Sequence, residues 1–342
     1  MLDAPEVADG IHFGLDAEFY HRVPALSASG IKNLLISGPD FYYRCPWLNP
    51  DYIDEDTEAM FIGRAYHKRI LEGKDAFYDE YARAFEAPAG CLRTVDDLKD
   101  ALIKSGIDKP KGVKADLIEQ LLEIQPDALI LDELKADYEV EHHGKEFLFP
   151  DLIARIETAA AMIEHHPENQ KLITGGFPEV SIFWTQDEIR FKARIDYLKP
   201  RAMIDLKTFG NYLSKPIDAA IYSAMASGKN HVQAAFYMRA FEAAKRGPSH
   251  NPTSEQITFL AQMRECQEPG FYFLYQQKGI VPLARAKKFL RGSMWSCGEV
   301  AIEEAIRRFR ENMKHFGDLP WVDTASIEEF QDDQFPVYAP EI

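Results

Sequence analysis

The segment IRFKARIDYLKPRAMIDLKT, residues 189–208, constrains the fold more than any other part of this sequence. Apolar and polar residues alternate before its central Lys-Pro-Arg, which is the two-residue period of a β-strand. The alternation places two sets of side chains on opposite faces: Phe191, Ala193, Ile195 and Tyr197 on one, and Lys192, Arg194 and Asp196 on the other. One face is therefore apolar, and the other carries charge.

A turn over Lys199 to Ala202 would fold this segment into a hairpin. Leu198 then pairs with Met203, and counting back along both strands places Asp196 opposite Asp205. Side chains that face each other in this way have Cβ atoms about 4.5–5.5 Å apart, and like charges at that distance repel. We therefore expect a cation between the two carboxylates, and a hard divalent ion with oxygen ligands fits.

Lys207 lies two residues beyond Asp205 and so shares its face of the strand. There it could orient a water molecule or stabilise the charge that develops on a phosphate under attack. The alternative is a solvated hairpin whose acids and lysines face water, because Asp-x-Lys is a common tripeptide. The opposed aspartates favour the metal site.

Four further residues are weaker candidates, each with a structural alternative. His67, in FIGRAYHKRILEG, lies on a helix predicted from about Thr57 to Leu71, where a lone histidine is more often structural. Gln233 and Tyr237 are four residues apart on a helix predicted over Asn230–Arg246, and could hold a nucleotide or line the core. Glu179 opens the strand EVSIFW, either as a further carboxylate of the site or as a surface acid.

The charge balance limits the class of protein. The net charge of −16 argues against a passive nucleic-acid coat, which would be basic, but leaves room for a site built from carboxylates. The first ten residues lack the basic and apolar regions of a signal peptide, and no apolar run approaches the ~18 residues of a membrane helix, so we expect a cytoplasmic protein without membrane contact. The four cysteines form no Cys-x-x-Cys pair, which predicts free thiols.

Five segments, taken in order, resemble the RecB-like branch of the PD-(D/E)XK nucleases: LSASGIKNLLISGPDFYY, AMFIGRAYHKRILEG, RIDYL, IDLKT and QAAFY. The spacing of the EVSIFW strand and the late Trp321 segment are most similar to RecE-type exonucleases (exonuclease VIII). The resemblance implies an α/β fold with a restriction-endonuclease-like core, a mixed β-sheet flanked by helices.

The resemblance also implies roles for the candidate residues. His67, Asp196 and Asp205 would be metal ligands, helped by the backbone carbonyl of Leu206, and Lys207 would be the catalytic lysine. Gln233 and Tyr237 would be accessory residues near the substrate, and Glu179 matches a family acid of less certain role.

The implied activity is Mg²⁺-dependent hydrolysis of DNA, with Mn²⁺ able to substitute. RecE-type enzymes digest duplex ends 5′-to-3′ and expose a 3′ strand for a single-strand annealing protein, in phage-type recombination. They form rings, which implies a homo-oligomer such as a tetramer. We expect no iron–sulfur cluster, because Gly38 precedes Pro39 where cluster-binding relatives have cysteine, and no ATP, because the sequence around Ser227 to Lys229 lacks a P-loop glycine.

The segment from Thr94 to Glu123 resembles a SAP-type helix–loop–helix, a small DNA-binding module. Lys104, Lys109, Lys111 and Lys114 are predicted to lie on its loop against one acid, which suits contact with DNA phosphates. The alternative is a helical decoration with solvated lysines. We expect residues 91–125 to form this insert in a nuclease core of residues 1–90 and 126–342, of which 318–342 form a tail that wraps the surface.

Two other functions remain open at this point. A single-strand or structure-specific nuclease would use the same motifs. A DNA-binding or assembly protein with a silent nuclease core is of a different class, but degenerate cores usually lose one of the four residues His67, Asp196, Asp205 and Lys207, and all four are present here.

Overall fold

The computed structural model describes residues 5–53 and 56–326, which form two compact units. The first unit contains the chain up to Thr57, Lys171–Gln276, and the chain from Arg285 onward. The second contains Glu58–Gln170 and Gln277–Ala284. The insert boundaries expected at residues 91 and 125 stay a prediction.

The strands form two sheets. Those in the described residues are β1 (Gly10–His12), β2 (Tyr81–Arg83), β3 (Glu146–Leu148), β4 (Phe177–Gln186), β5 (Ile189–Lys199), β6 (Ala202–Gly210), β7 (Gly270–Lys278) and β8 (Ala284–Phe289). The larger sheet has the order β1-β4-β5-β6-β7-β8, and β2 pairs with β3 in parallel.

Helices occupy most of the remaining chain. They are α1 (Ala17–Arg22), α2 (Ala28–Leu34), α3 (Gly38–Tyr43), α4 (Glu58–His67), α5 (Lys74–Glu80), α6 (Val95–Lys104), α7 (Lys114–Ile124), α8 (Leu131–Glu141), α9 (Pro150–His165), α10 (Pro167–Leu172), α11 (Ile217–Ser227), α12 (Asn230–Arg246), α13 (Ser254–Glu265) and α14 (Ser293–Phe316). The predicted α/β class, a mixed sheet flanked by helices, is confirmed.

The β4–β5–β6 meander is the centre of the larger sheet, and both of its turns are tight. Gln186 pairs with Ile189 across the first turn, where Asp187 and Glu188 have φ of 49° and 66°. Positive φ at both positions is the type I′ geometry that matches the twist of two-residue hairpins. Lys199 pairs with Ala202 across the second turn, as the sequence predicts.

Helix α12 forms the core of the first unit with this sheet, and its bounds match the prediction. It contacts β4 and β5, and the Phe236 ring lies 5.3 Å from Trp184 and 6.1 Å from Phe191. Helix α14 packs against α12 so closely that a Cβ on Gly298 would lie 2.7 Å from the His231 carbonyl oxygen. Side chains on the first turns of α12 are therefore held in fixed positions.

Two helices follow each other closely near the start of the chain. Helix α2 ends at Leu34, and Ser37 caps α3 by accepting a hydrogen bond from the Asp40 amide at 3.0 Å. Proline suits such a first turn because it needs no N–H there. Helix α14 begins at Ser293, directly after Gly292.

The tail beyond Gly317 enters the core before it reaches the surface. Trp321 is fully buried, its ring lies 5.3 Å from that of Phe41, and its Nε1 donates to the Gly317 carbonyl at 3.0 Å. The expectation that the tail only wraps the surface is wrong at this residue, because a large aromatic side chain gains more from burial. Residues 327–342 lie outside the described part of the chain.

The second unit contains α6 and α7, two short helices in the segment that resembles a SAP-type helix–loop–helix. Thr94 and Asp97 form a reciprocal capping box at the start of α6, with hydrogen bonds of 3.1 and 2.8 Å. Leucines of the two helices form a small core: Leu98, Leu102, Leu117 and Leu121, with Ile118 and Ile130. Within the described residues, no helix combines the length and apolarity that crossing a membrane requires.

Candidate metal centre

Asp196 and Asp205 lie on the neighbouring strands β5 and β6. The β5–β6 ladder pairs Leu198 with Met203, as predicted, and continues to Tyr197 opposite Ile204. Asp196 and Asp205 follow at the next position of each strand. The Leu206 amide donates a hydrogen bond of 2.8 Å to Asp196 Oδ2, so the Asp196 side chain reaches across to β6.

The charge of Asp205 makes the ionisation of Asp196 costly. Burial of Asp196, followed by repulsion from Asp205, raises the pKa of Asp196 to about 8, although Lys207 and the Leu206 N–H favour the ionised form. Asp205 itself is fully buried. A cation bound between the two carboxylates would favour the ionised form of Asp196.

Lys207 supplies one such positive charge. Its Nζ lies 2.8 Å from Asp205 Oδ2. Burial alone would lower the pKa of Lys207, but the carboxylates of Asp205 and Asp196 outweigh it and raise that pKa. The alternative of a hairpin whose acids face water is wrong at Asp205, because no part of that residue is exposed.

Glu179 is a third carboxylate of this site, on β4. One of its oxygens lies within 4.8 Å of an Asp196 oxygen. Arg194 Nε donates to Glu179 Oε2 at 2.6 Å, and a second guanidinium nitrogen, Nη1, donates to Ser181 Oγ at 3.2 Å. Arg194 shares its strand face with Asp196, as the alternation predicts. Glu179 is therefore a half-buried, ion-paired acid beside Asp196, and its part in the site stays a prediction.

The backbone of Glu179 is strained. Its φ is 51°, a left-handed conformation that disfavours residues with a side chain. The neighbouring ladder pairs are Pro178–Tyr197 and Val180–Ile195, so the strain lies within a continuous strand pairing and outside any turn. Strained backbone of this kind persists where the surroundings hold it, commonly at functional sites.

Helix α12 reaches the site through Gln233. Its Nε2 donates to Asp205 Oδ1 at 2.7 Å, and its Oε1 accepts from Lys32 Nζ of α2 at 2.8 Å. Tyr237, one turn later, is buried and hydrogen-bonded to Gln233. Burial and the charges of Asp196 and Asp205 raise the pKa of Tyr237. Both residues line the core beside the carboxylates, and a role in holding a nucleotide stays a prediction.

Lys32 is a residue of the site that the sequence did not single out. A signal was present, because Ala28 is buried and Lys32 lies four residues later on the same helix face. A lysine at such a position needs a partner in the interior. Its partner, Gln233, is 201 residues away in the sequence and could be found only from the packing of α2 on α12.

The donor set fits a hard divalent cation. Its groups are carboxylate oxygens, which Mg²⁺, Mn²⁺ and Ca²⁺ prefer. Asp205 Oδ2 is buried and accepts no hydrogen bond of good geometry from the described residues, although the Lys207 ammonium is close. A buried carboxylate oxygen in that state is suited to a metal ligand.

His67 and the carbonyl of Leu206 stay predictions as ligands. His67 is the last residue of α4 in the second unit, immediately before a π-helical turn, Lys68–Glu72. Turns of this kind are rare in proteins, and those that occur are often found at functional sites. Leu206 contributes its amide to Asp196, and its side chain is fully buried.

The lysines of the insert differ in position from the expectation. Lys104 ends α6 and Lys114 begins α7, so only Lys109 and Lys111 lie on the loop between them. Lys104, Lys109 and Lys111 are exposed. Lys114 Nζ lies 2.7 Å from Asp132 Oδ2, and this ion pair makes it less available to a phosphate.

Comparison with known proteins adds little. No protein-family model matches the chain, and no curated protein matches it. A solved structure of a candidate exonuclease from Eubacterium rectale aligns over 87% of this chain and 86% of that one, with 13% identity and a TM-score of 0.48. A likeness at that level carries no argument about activity, so the function must be inferred from the site.

Proposed function

We propose that the protein is a divalent-metal-dependent nuclease that hydrolyses phosphodiester bonds of DNA. One observation carries the proposal: Asp196, Asp205 and Glu179 converge from three adjacent strands, with Lys207 on the buried aspartate. A structural ion pair would need one acid for each base. Here three acids lie together, and burial and the charge of Asp205 raise the pKa of Asp196, which suits the group to holding a cation.

The proposed ligands are Asp196, Asp205, His67 and the Leu206 carbonyl, and the proposed ion is Mg²⁺, with Mn²⁺ as a substitute. A bound ion of this kind polarises a phosphate, lowers the pKa of a water molecule and stabilises the departing oxygen. Carboxylates and carbonyls are hard oxygen ligands, which favours Mg²⁺ over softer metals.

The other residues position and stabilise. Lys207 keeps its charge because two carboxylates raise its pKa, so it can orient a water molecule or stabilise charge on a phosphate oxygen. Gln233 fixes one oxygen of Asp205 and leaves the other directed toward Lys207. Arg194 holds Glu179 beside Asp196.

The substrate that the RecE-type resemblance supports is an end of duplex DNA, digested 5′-to-3′ to expose a 3′ strand. An annealing protein would then bind that strand in phage-type recombination, and the nuclease would act as a homo-oligomer, by analogy a tetramer. The exposed lysines of the insert support a contact with DNA outside the site.

The decisive experiment compares linear and closed circular duplex DNA, with strands labelled at either end, in Mg²⁺, Mn²⁺ and EDTA. The expected result is digestion of linear duplex only, from the 5′ end, and none in EDTA. Cleavage of the circle, or a preference for single strands, would replace the exonuclease by a structure-specific or single-strand nuclease. Binding without any hydrolysis would indicate a silent core.

A further inference from the structure

Asp205 lies between two ammonium groups, one of which has no part in the proposed hydrolysis. Lys207 Nζ is 2.8 Å from Asp205 Oδ2. Lys32 reaches the other oxygen through one side chain: its Nζ donates to Gln233 Oε1 at 2.8 Å, and Gln233 Nε2 donates to Asp205 Oδ1 at 2.7 Å. The Lys32 charge is therefore held two hydrogen bonds from the buried aspartate.

Lys32 has no carboxylate partner among residues 5–53 and 56–326; its hydrogen bond is to a neutral amide. A largely buried ammonium normally has an anionic partner, because removal from water costs several kcal/mol unless it is compensated. Burial, followed by repulsion from Lys207, lowers the pKa of Lys32 to about 8; Asp205 opposes this shift, and Lys229 adds to it. Lys32 is thus a cation that the protein leaves under-neutralised.

Two further nitrogen-bearing side chains, those of Lys229 and His231, lie at the start of α12 without an anionic partner among the described residues. Neither the Lys229 side chain nor the His231 ring has a hydrogen bond or ion pair with any residue that the structure describes. Burial, followed by repulsion from Lys32 and Lys229, lowers the pKa of His231. Lys229 also has a strained backbone, with φ of 46°. The Gln233 backbone amide donates to the Lys229 carbonyl at 3.4 Å, so Lys229 and His231 lie on the helical turn before the residue that Lys32 contacts.

The charges around the carboxylates point the same way. Two of the cations near the carboxylates already have an acid partner: Arg194 is paired with Glu179, and Lys207 with Asp205. Lys32, whose hydrogen bond is to the Gln233 amide, therefore keeps a positive charge that is suited to an anion.

We propose that Lys32, Lys229 and His231 form a second phosphate-binding subsite beside the carboxylates, which takes the backbone phosphate next to the one that is cleaved. The identity of this anion rests on the proposed nuclease function. In the same position, Lys32 orients the Gln233 amide, since a donor on Oε1 leaves Nε2 to face Asp205. Lys32 would thus link the binding of a neighbouring phosphate to the geometry of the buried aspartate.

The test measures binding separately from hydrolysis. A short labelled duplex is titrated with protein in EDTA, and each backbone phosphate near one end is replaced in turn by a neutral methylphosphonate. Wild-type protein should lose roughly tenfold or more in affinity where a charged contact is removed, since hydrogen bonds to charged groups are worth about 1.5–3 kcal/mol. Lys32→Met keeps the apolar stem of the side chain. In this variant, substitution at one of those positions should no longer reduce affinity, while substitution at the others should reduce it as in the wild type.

Lys314→Met is the matched control, because Lys314 is an exposed lysine at the end of α14 and should leave the whole profile unchanged. Lys229→Met gives the same test if Lys32→Met does not fold. Equal losses at every position in wild type and both subsite variants would overturn the inference, as would a wild type that binds no duplex.

Cleavage of unmodified duplex in Mg²⁺ is measured beside these titrations. If the variants cleave DNA and bind the substituted duplexes as the wild type does, the subsite proposal is wrong and the nuclease proposal stands. If one substituted position no longer matters in Lys32→Met but no protein cleaves DNA, the subsite proposal stands and the nuclease proposal is wrong.

Discussion

Gln233 Nε2 donates a hydrogen bond to Asp205 Oδ1 at 2.7 Å, which joins helix α12 to strand β6 in the core of the first unit. The two oxygens of the Asp205 carboxylate therefore have different partners. Oδ1 is fixed by an amide that lies in the packed core, and Oδ2 is directed toward Lys207. The Asp205 carboxylate is therefore held in one orientation, with Oδ1 fixed by the packed core and Oδ2 facing a positive charge.

The first prediction concerns the aspartates. Asp196→Asn and Asp205→Asn should each abolish cleavage, and divalent metal should raise the melting temperature of the wild type more than that of either variant. Without metal and above about pH 8, where Asp196 is ionised, Asp196→Asn should be at least as stable as the wild type, because it removes a buried charge that Asp205 repels. Near-normal activity in either variant would contradict the metal site.

The pH dependence of metal-free stability follows from the same residue. The pKa of Asp196 is about 8 in the folded protein, against roughly 4 in an unfolded chain. The folded state therefore binds this proton more tightly, so the stability that the proton contributes is present below pH 4 and is lost as pH rises to about 8. Melting temperatures in EDTA should fall over this window in the wild type and fall less in Asp196→Asn.

Lys207→Ala should lose rate and keep its metal. The lysine contacts Asp205 but is not a ligand, and loss of a group that stabilises developing charge costs on the order of 10²–10³ in rate. Calorimetric titration with Mn²⁺ separates the two properties. A variant that no longer binds Mn²⁺ would show that Lys207 acts through the metal site itself.

His67→Ala should have the opposite signature. If His67 is a ligand, the variant binds metal more weakly, and a higher Mn²⁺ concentration restores part of its activity. Activity is measured across a range of Mn²⁺ concentrations, with thermal melting as the check on folding. Loss of activity that no metal concentration restores would identify His67 as a structural residue at the end of α4.

The strain at Glu179 can be measured with a pair of variants. Glu179→Gly and Glu179→Ala both remove the carboxylate and leave Arg194 without it, but only glycine adopts a φ near 51° without cost. The glycine variant should be more stable than the alanine variant by about 1–2 kcal/mol. At Thr185, an ordinary exposed position of β4, the order should reverse. If alanine is the more stable at both positions, Glu179 stores no strain.

The sequence predicted those parts of the site that depend on neighbours along the chain. Alternation in β5 and a short turn gave the pairing of Leu198 with Met203, and with it the positions of Asp196 and Asp205. Contacts between distant segments could not be found in this way. Lys32 meets Gln233 only because α2 packs on α12, and the strain at Glu179 is a backbone property without a sequence pattern.

Between β6 and α14, three elements were not predicted from the sequence. Two of them lack a clear pattern of apolar residues, but the third begins with a recognisable capping signal. Helix α11 is mostly apolar and small, so no amphipathic period marks it, and the charged strand β8 buries only Phe289. Helix α13, in contrast, begins with a capping box between Thr253 and Gln256, and the sequence Thr-x-x-Gln is a known signal of such a helix start. The absence of a strong amphipathic stripe after it hid the helix.

The last prediction concerns the insert, where the structure changes the experiment. Lys104, Lys109 and Lys111 are exposed, but Lys114 is paired with Asp132. Each phosphate contact that is lost should flatten the dependence of log affinity on log salt by about 0.9 on duplex DNA. The triple variant Lys104→Ala, Lys109→Ala, Lys111→Ala should therefore lower that slope by up to roughly 2.7. Lys114→Ala is the matched control and should change the slope little, because the charge of Lys114 is already balanced by Asp132.

Cleavage of short duplexes at low salt should survive in both the triple variant and the control, since the carboxylate site is intact. An unchanged slope in a folded triple variant would mean that these lysines only face solvent and that the module does not bind DNA through them.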